Sequence, residues 1–437
     1  MAHKGRAEMS HAGRAETEWV ELETERKLRF GLEAGPGYGA GLREIRRYLN
    51  AFTVVTGIFP VFIICLSVAA VFAALSAEAG LSRAQAESWM SSMYIFGGVN
   101  SLILATYYKK PLVGAFSIPG LVVAFEALNG VPYSEAVGAF IVGGLIVLVL
   151  GLTGVVNLVV RWIPSPIMSS MIAGVLLSFP LRIVEAFELQ WSIALAAVLG
   201  YVVVHRWVPR TPGVVGAIAA GLGAAVLVGA LKPVAISFDL ALPAFQPPGL
   251  SVAAVVSIAL PLAILTIGAE NMQAIGVLRS LRMRPPVTAI TLLSGVATAV
   301  AGVFGGHSAN VAGPTTAMCA SPDAGPVRGR YVAAIVAGFT FIAFGLLAPV
   351  MLQAVDILPA AFTAVLVGLV LLPVVAATLA DGWRSSTCTV GAMVAFLVAL
   401  AGVTIWGVSA AFWAIVFGCL TSLALETQDY RRHVRQG

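Results

Sequence analysis

The chain has 437 residues, of which 59% are hydrophobic and 11% charged, and its mean hydropathy is +0.93; soluble domains are about a quarter charged. That balance excludes a water-soluble globule and describes a polytopic membrane protein. Its net charge of +5 matters less than where the charges stand.

The first fifty residues are hydrophilic, with nine Lys/Arg against eight Asp/Glu. No apolar stretch follows a short basic start, so no cleavable signal is expected. Residues 16–29 (ETEWVELETERKLR) set acids before bases at helical spacing, which fits a surface helix and a solvated coil equally well.

Beyond the tail, fourteen apolar segments can be drawn. The first seven run over about 51–75, 89–107, 111–128, 134–154, 165–187, 191–207 and 212–231, and the second seven over about 250–278, 286–304, 306–321, 331–350, 358–380, 386–401 and 404–425. Lys and Arg test this draft independently. With the N-terminus cytoplasmic, 23 of the 26 fall on the inner side, and Arg83, Arg182 and Lys232 fall outside. A one-segment error in the middle would scramble the partition, so the bias supports fourteen crossings with both ends cytoplasmic.

Segments three (KKPLVGAFSIPGLVVAFEALNG) and ten (FGGHSANVAGPTTAMCASPDAG) are abnormal, and each is third in its set of seven. Each begins with a short extended run, reaches a Pro/Gly pair (Pro119 and Gly120; Gly313 and Pro314), and continues for only half a membrane helix. Because seven is odd, the second set enters the bilayer from the opposite side, the signature of an inverted repeat with broken helices. The domains expected are a tail at 1–50, repeats at 51–232 and 249–425, and a cytoplasmic tail at 426–437. Non-helical backbone at membrane depth survives only against protein or a water-filled cavity. Two facing breaks therefore predict a central cavity, into which the half-helix N-termini present N–H groups suited to an anion.

Glu270 stands near the middle of the long apolar eighth segment, where a charged carboxylate costs at least ~2.5 kcal/mol. Desolvation favours its neutral form, which suits a group that loads and releases a proton, and a structural carboxyl bonded to half-helix amides is the plainer alternative. Asn271 and Gln273 follow it; Asn271 ties segment eight to broken backbone or touches substrate. Thr315, Thr316 and Ser117 flank the half-helix starts, where hydroxyls cap the helix or turn to a ligand. Asn310 is expected to bond nearby backbone, and Phe116 either stacks on an aromatic ring or simply packs. His307 is placed at the outer start of segment ten, where its imidazole is inert or relays protons. Glu126 is expected to reach headgroup water at the outer end of half-helix three, and Asp323 to lie in an inner loop. Cys65, Cys319, Cys388 and Cys419 lie in apolar segments without CxxC spacing or a His cluster, so neither a disulfide nor a metal site is proposed. Gly-rich runs such as GAIAAGLGAAVLVGA read as close helix packing. No nucleophile, His and acid constellation for an enzyme is apparent, and neither a cofactor nor a nucleic-acid partner is expected.

The stretches KPLVGAFSIPGLVVAFEALNGVPYSEAVGAFIVGGLIVLVLGLTG, RWIPSPIMSSMIAGVLLSF, GAENMQAIGVLRS and GGHSANVAGPTTAMCASPDAG resemble the benzoate/proton symporter family, over essentially everything from Ala51 onward. That family is similar in architecture to the nucleobase/cation symporters and sulfate-permease-type transporters. The resemblance implies an all-α polytopic fold with fourteen segments in a seven-plus-seven inverted repeat. Segments one to four and eight to eleven would form a core, and five to seven and twelve to fourteen a gate that also makes a homodimer. It implies a substrate held between segments three, eight and ten by Phe116, Ser117, Pro119, Gly120, Glu270, Asn271, Ala312, Gly313, Thr315 and Thr316, with Glu270 coupling transport to protons. The function implied is proton-coupled symport of benzoate or a similar aromatic carboxylate in the cytoplasmic (inner) membrane, with the proton gradient as energy source. Two departures stand beside it. Glu270 gives this chain a carboxylate before Asn271 that is similar to the nucleobase transporters, whereas the acid those carry at the segment-ten break is replaced by Ala312, Gly313, Pro314 and Thr315. A nucleobase symporter and an uncoupled anion exchanger or channel are the alternatives.

Overall fold

Asn50 and Ser82 start the two long helices that open the bundle. Asn50 accepts the N–H groups of Phe52 and Thr53 while Thr53 Oγ1 accepts its own, and Ser82 and Gln85 repeat the arrangement. Such reciprocal caps satisfy donors that a helix start leaves orphaned. The computed structural model describes residues 32–154, 162–208, 211–234, 237–384 and 386–436. The tail segment 16–29 and the cations Arg161 and Arg210 lie outside them.

In chain order the elements are α1 (Tyr38–Tyr48), α2 (Ala51–Glu78), α3 (Arg83–Tyr108), β1 (Gly114–Ala115), α4 (Ile118–Ala127), α5 (Tyr133–Thr153), α6 (Ser165–Trp207), α7 (Gly213–Leu227) and α8 (Val252–Ser280). They continue with α9 (Val287–Val303), β2 (Asn310–Val311), α10 (Gly313–Cys319), α11 (Arg330–Leu346), α12 (Ala348–Asp356), α13 (Ala360–Arg384), α14 (Thr389–Leu400), α15 (Ala410–Leu425) and α16 (Thr427–Gln436). Among the described residues, six helical stretches are long and apolar enough to cross a membrane: α2, α5, α6, α8, α13 and the stretch Val327–Leu346 that contains α11. The molecule is an integral membrane protein, predominantly helical.

α6 covers 43 residues where two segments are expected, and the break between them survives as Gln190, whose backbone is extended (φ −161, ψ 90). The segment expected over 331–350 is shorter than drawn. α11 stops at Leu346 and α12 starts afresh at Ala348, because the ring and missing N–H of Pro349 suit a first turn and not a helix interior.

α3 is the most polar of the long helices, and its buried hydroxyls have a use. Ser88 Oγ donates to the carbonyls of Ala244 and Phe304, Ser92 Oγ to Ala301 and Ser101 Oγ to Ala334. The carbonyls of Ala244 and Phe304 lie in non-helical backbone and that of Ala301 in the last turn of α9, where such groups are costly to bury unpaired; Ala334 lies within α11. The closest-packed pairs are α6 with α13, α5 with α9, α6 with α7, α3 with α11, and α14 with α15 and α6.

At the middle of the bundle the two breaks meet. β1 and β2 pair antiparallel, Gly114 opposite Val311 and Ala115 opposite Asn310, and Ala312 N–H donates to Val113 O at 3.0 Å. Gly114 permits this approach, since a Cβ there would stand 2.3 Å from the carbonyl oxygen of Gly97 on α3. The two half-helices α4 and α10 leave from this paired centre.

Candidate functional site

The residue that ties the centre together is Ser117, the N-cap of α4. Its hydroxyl accepts the N–H of Gly120 at 2.9 Å and donates to Glu270 Oε1 at 2.8 Å, while its own N–H donates to Ser308 Oγ at 2.9 Å. Glu270 closes a π-helical turn, Thr266–Glu270, inside α8. The extra residue per turn rotates the following side chains about the axis, a device common at functional sites. Here the rotated carboxyl faces the break in segment three.

Three side chains hold the strand pair in place. Asn271 Oδ1 accepts Val311 N–H at 3.1 Å and Ser294 Oγ–H at 3.2 Å; Thr316 Oγ1 accepts Val113 N–H at 3.1 Å; Thr298 Oγ1 accepts Ala309 N–H at 3.0 Å. The Oδ1 of Asn271 thus ties segment eight to the broken backbone, while its Nδ2 is buried without a partner among the described residues. α10 has no side-chain cap, so the capping reading of Thr315 and Thr316 is not what the structure contains. Thr316 serves the facing strand instead, because the β1–β2 pairing brings Val113 over it.

A cavity of about 350 Å³ lies between this centre and the helices α2, α6, α7 and α13, within the range of about 300–1,000 Å³ typical of small-molecule sites. Phe116, Pro119, Glu270, Gln273, Ala312, Pro314 and Thr315 line one wall. Ile63, Ile64, Ser67 and Val68 of α2 line another, and Ile172, Tyr201, Gly213, Leu369, Val370, Val374 and Thr378 the third. The walls are mainly apolar, and the Ser67 hydroxyl has no hydrogen-bond partner among the described residues. Phe116 packs against Tyr94 with ring centroids 5.1 Å apart and against Phe341 at 6.3 Å.

Of the ten expected site residues, Phe116, Pro119, Glu270, Ala312 and Thr315 thus face the cavity. Ser117, Gly120, Asn271, Gly313 and Thr316 stand one layer behind it as supports. Gly313 allows α10 to touch α8, since a Cβ there would stand 2.4 Å from Gln273 Cβ. The α2, α6 and α13 walls were not foreseen, because an apolar side chain facing a cavity carries the same sequence pattern as one facing lipid. Ser67 and Tyr201, polar residues within apolar runs, were the available signals.

Three expectations are corrected. His307 is fully buried, not interfacial: Trp89 Nε1–H donates to its Nδ1 at 3.1 Å, and its Nε2 meets Ser117 O at 2.8 Å. An indole N–H can only donate and a carbonyl can only accept, so this pair of contacts selects the neutral Nε2–H tautomer. The cause is the extended run before β2, which returns the chain into the core beneath Trp89. Asn310 pairs with Ala115 through its backbone, yet neither atom of its side-chain amide has a partner among the described residues. A two-residue strand turns that side chain away from the pairing. Glu126 does not reach open solvent; both carboxyl oxygens are enclosed where α4 ends against α2 and α6. Asp323 is exposed in a turn beyond α10, as expected, and all four cysteines are free thiols.

A sequence profile of the family described as "Benzoate membrane transport protein" matches residues 48–424. Among curated relatives, the "Inner membrane protein YdcO" of Escherichia coli (strain K12) is 30% identical over 375 residues, 86% of this chain and 96% of the relative. The "Benzoate membrane transport protein" of Acinetobacter baylyi (strain ATCC 33305 / BD413 / ADP1) is 25% identical over 385 residues, 88% of this chain and 98% of that one. Among solved structures, the transmembrane domain of a cyanobacterium bicarbonate transporter BicA has a TM-score of 0.58 at 16% identity, covering 88% of this chain and 97% of that one. The anion transporter Slc26a9 from mouse, in its inward-facing state, has a TM-score of 0.56 at 14% identity, covering 89% and 70%. These structures share the fold with this chain.

Proposed function

The chain belongs to the benzoate membrane transport protein family, and from that premise we propose that it is a secondary active transporter carrying benzoate or a similar aromatic carboxylate together with protons, by alternating access. The observation that carries the proposal is the Ser117–Glu270 hydrogen bond, which joins the cap of a half-helix to the cavity's one carboxylate. Two carboxylates about 4 Å apart repel by about 4 kcal/mol at an effective dielectric of about 20. Protonating Glu270 removes that repulsion, so the substrate anion and the proton bind together. The apolar walls suit the ring, and the first turns of α4 and α10 lie beside the position its carboxylate would take.

Fourteen crossings in an inverted repeat belong to the same reading, supported by how packing partners exchange. Shifting segment numbers by seven turns the α3–α11 pair into α9–α5, and returns α6–α13 and β1–β2 to themselves. A core of α2–α5 and α8–α11 and a gate of α6, α7 and α13–α15 are supported by the same pairs, with the cavity at their junction. The cavity reaches toward Tyr201, Gly213 and Thr378, near the end that carries Arg206 and Arg384. The Lys/Arg bias makes that end cytoplasmic, and so this state inward-open.

Labelled benzoate uptake into proteoliposomes tests the reading. An inward proton gradient should drive accumulation, and Glu270→Gln should reduce it to equilibration. Full uphill uptake by that variant would refute the coupling. A nucleobase cargo is favoured by one observation, the carboxyl of Glu270 and the amide of Gln273 on the same wall. Competition of labelled benzoate by uracil or xanthine, in preference to unlabelled benzoate, would establish it.

A further inference from the structure

At the end of the molecule opposite the Glu270 cavity's mouth lies a second cavity, of about 270 Å³, between α2, α4, α6 and α14. Its wall carries Glu78, Glu126 and Arg182. The Arg182 guanidinium is committed: it meets the two carboxyl oxygens of Glu78 at 2.6 and 2.9 Å and lies over the Phe179 ring at 5.2 Å. This pair ties α2 to α6, that is, core to gate in the reading above. Glu126 is left over. Both its oxygens are buried without a hydrogen-bond partner, at the C-terminal and therefore negative end of half-helix α4. An ionised carboxylate without a partner is expensive to hold in such a place.

We propose that Glu126 is a second proton-binding site, loaded when this end of the protein closes and emptied when it opens. Opening must part α2 from α6, breaking Glu78–Arg182 and letting water reach Glu126, which then ionises beside a released guanidinium. Closing reverses this and takes one proton from the same solution. The proton is taken from and returned to one side, so it gates the carrier without entering the transport stoichiometry. Glu126 thus differs in role from Glu270, which faces the substrate cavity. The inference rests on the alternating-access reading, but not on which cargo is carried.

The test is reaction of Val175→Cys, buried on this cavity's wall, with a membrane-impermeant maleimide. The rate is divided by that of Gly130→Cys, an exposed site where a Cβ meets nothing, and labelling of the native cysteines is subtracted. In the otherwise native chain the ratio should fall as pH falls, by up to about tenfold per pH unit for a one-proton linkage. Adding Glu126→Gln should make it low and independent of pH, while Glu126→Asp and Glu270→Gln should keep the response. Accumulation of benzoate by Glu126→Gln should reach the native ratio. An unchanged pH response in Glu126→Gln overturns the assignment and leaves alternating access standing. A ratio that never moves, in any variant, at any pH or with benzoate, overturns both.

Discussion

Ser117 and Glu270 stand 153 positions apart in the chain and share a 2.8 Å hydrogen bond. The same hydroxyl accepts the Gly120 N–H, so the protonation state of the carboxyl is felt by the first turn of α4. Ser117→Ala should remove both contacts. A lost cap costs about 1 kcal/mol, so benzoate affinity should fall by up to about fivefold. Isothermal titration checks this, and Ser117→Thr, which keeps the hydroxyl, should lie close to the native value.

Glu270→Gln keeps the shape of the carboxyl and its capacity to accept from Ser117, while fixing the group as neutral. Exchange of labelled for unlabelled benzoate should therefore persist and show a flatter pH dependence, even though uphill accumulation is lost. Loss of exchange together with accumulation would point to a role in binding alone.

Gly313→Ala tests how close α10 lies to α8. The new methyl would meet Gln273 Cβ at 2.4 Å, with neighbouring backbone close behind. Overpacking of this kind costs about 1–3 kcal/mol, so the detergent-solubilised variant should melt several degrees lower and bind benzoate more weakly. A native melting curve would mean that the two elements part easily.

Glu78→Gln weakens the tie between α2 and α6. Because the Glu78 side chain is about half exposed, the pair contributes less than about 1 kcal/mol. The labelling ratio of Val175→Cys should then rise by no more than about fivefold. A rise far beyond that would make this contact the main restraint on the closed end.

Glu426 lies just past α15 and accepts hydrogen bonds from Val390 N, Gly391 N, Thr389 Oγ1 and Ser422 Oγ, between 2.9 and 3.1 Å. Partial burial pushes the carboxyl up, but the four donors outweigh it and hold the group below the ordinary carboxylate range. Its folded-state value is depressed, so its contribution is complete above the unfolded value of about 4.3. It disappears as pH falls through the folded value. Native protein should melt above Glu426→Ala at pH 7, by about 1 kcal/mol as for a lost helix cap, and the two curves should converge in acid. A gap that persists at low pH would assign the effect to packing.

The sequence by itself determined the membrane class, both broken segments and the isolated acid of segment eight. Each rests on local chemistry: run length, a Pro/Gly pair, and a carboxylate among apolar neighbours. It also carried the family resemblance, through four stretches of which GGHSANVAGPTTAMCASPDAG, running across the Gly313–Pro314 break, is the most specific. Which of the supports behind the cavity touch one another was decided only by the tertiary structure. That Asn271 meets the backbone of Val311 and Thr316 that of Val113 follows from the β1–β2 pairing, which joins segments far apart in the chain. The α2, α6 and α13 walls were hidden for a different reason: in a bilayer, residues facing lipid and residues facing a cavity are equally apolar, so periodicity cannot separate them. His307 and Glu126 mislead in the same way. A position along a segment gives depth in the membrane, but enclosure depends on neighbours from distant parts of the chain, here Trp89 for the imidazole and α2 with α6 for the carboxyl.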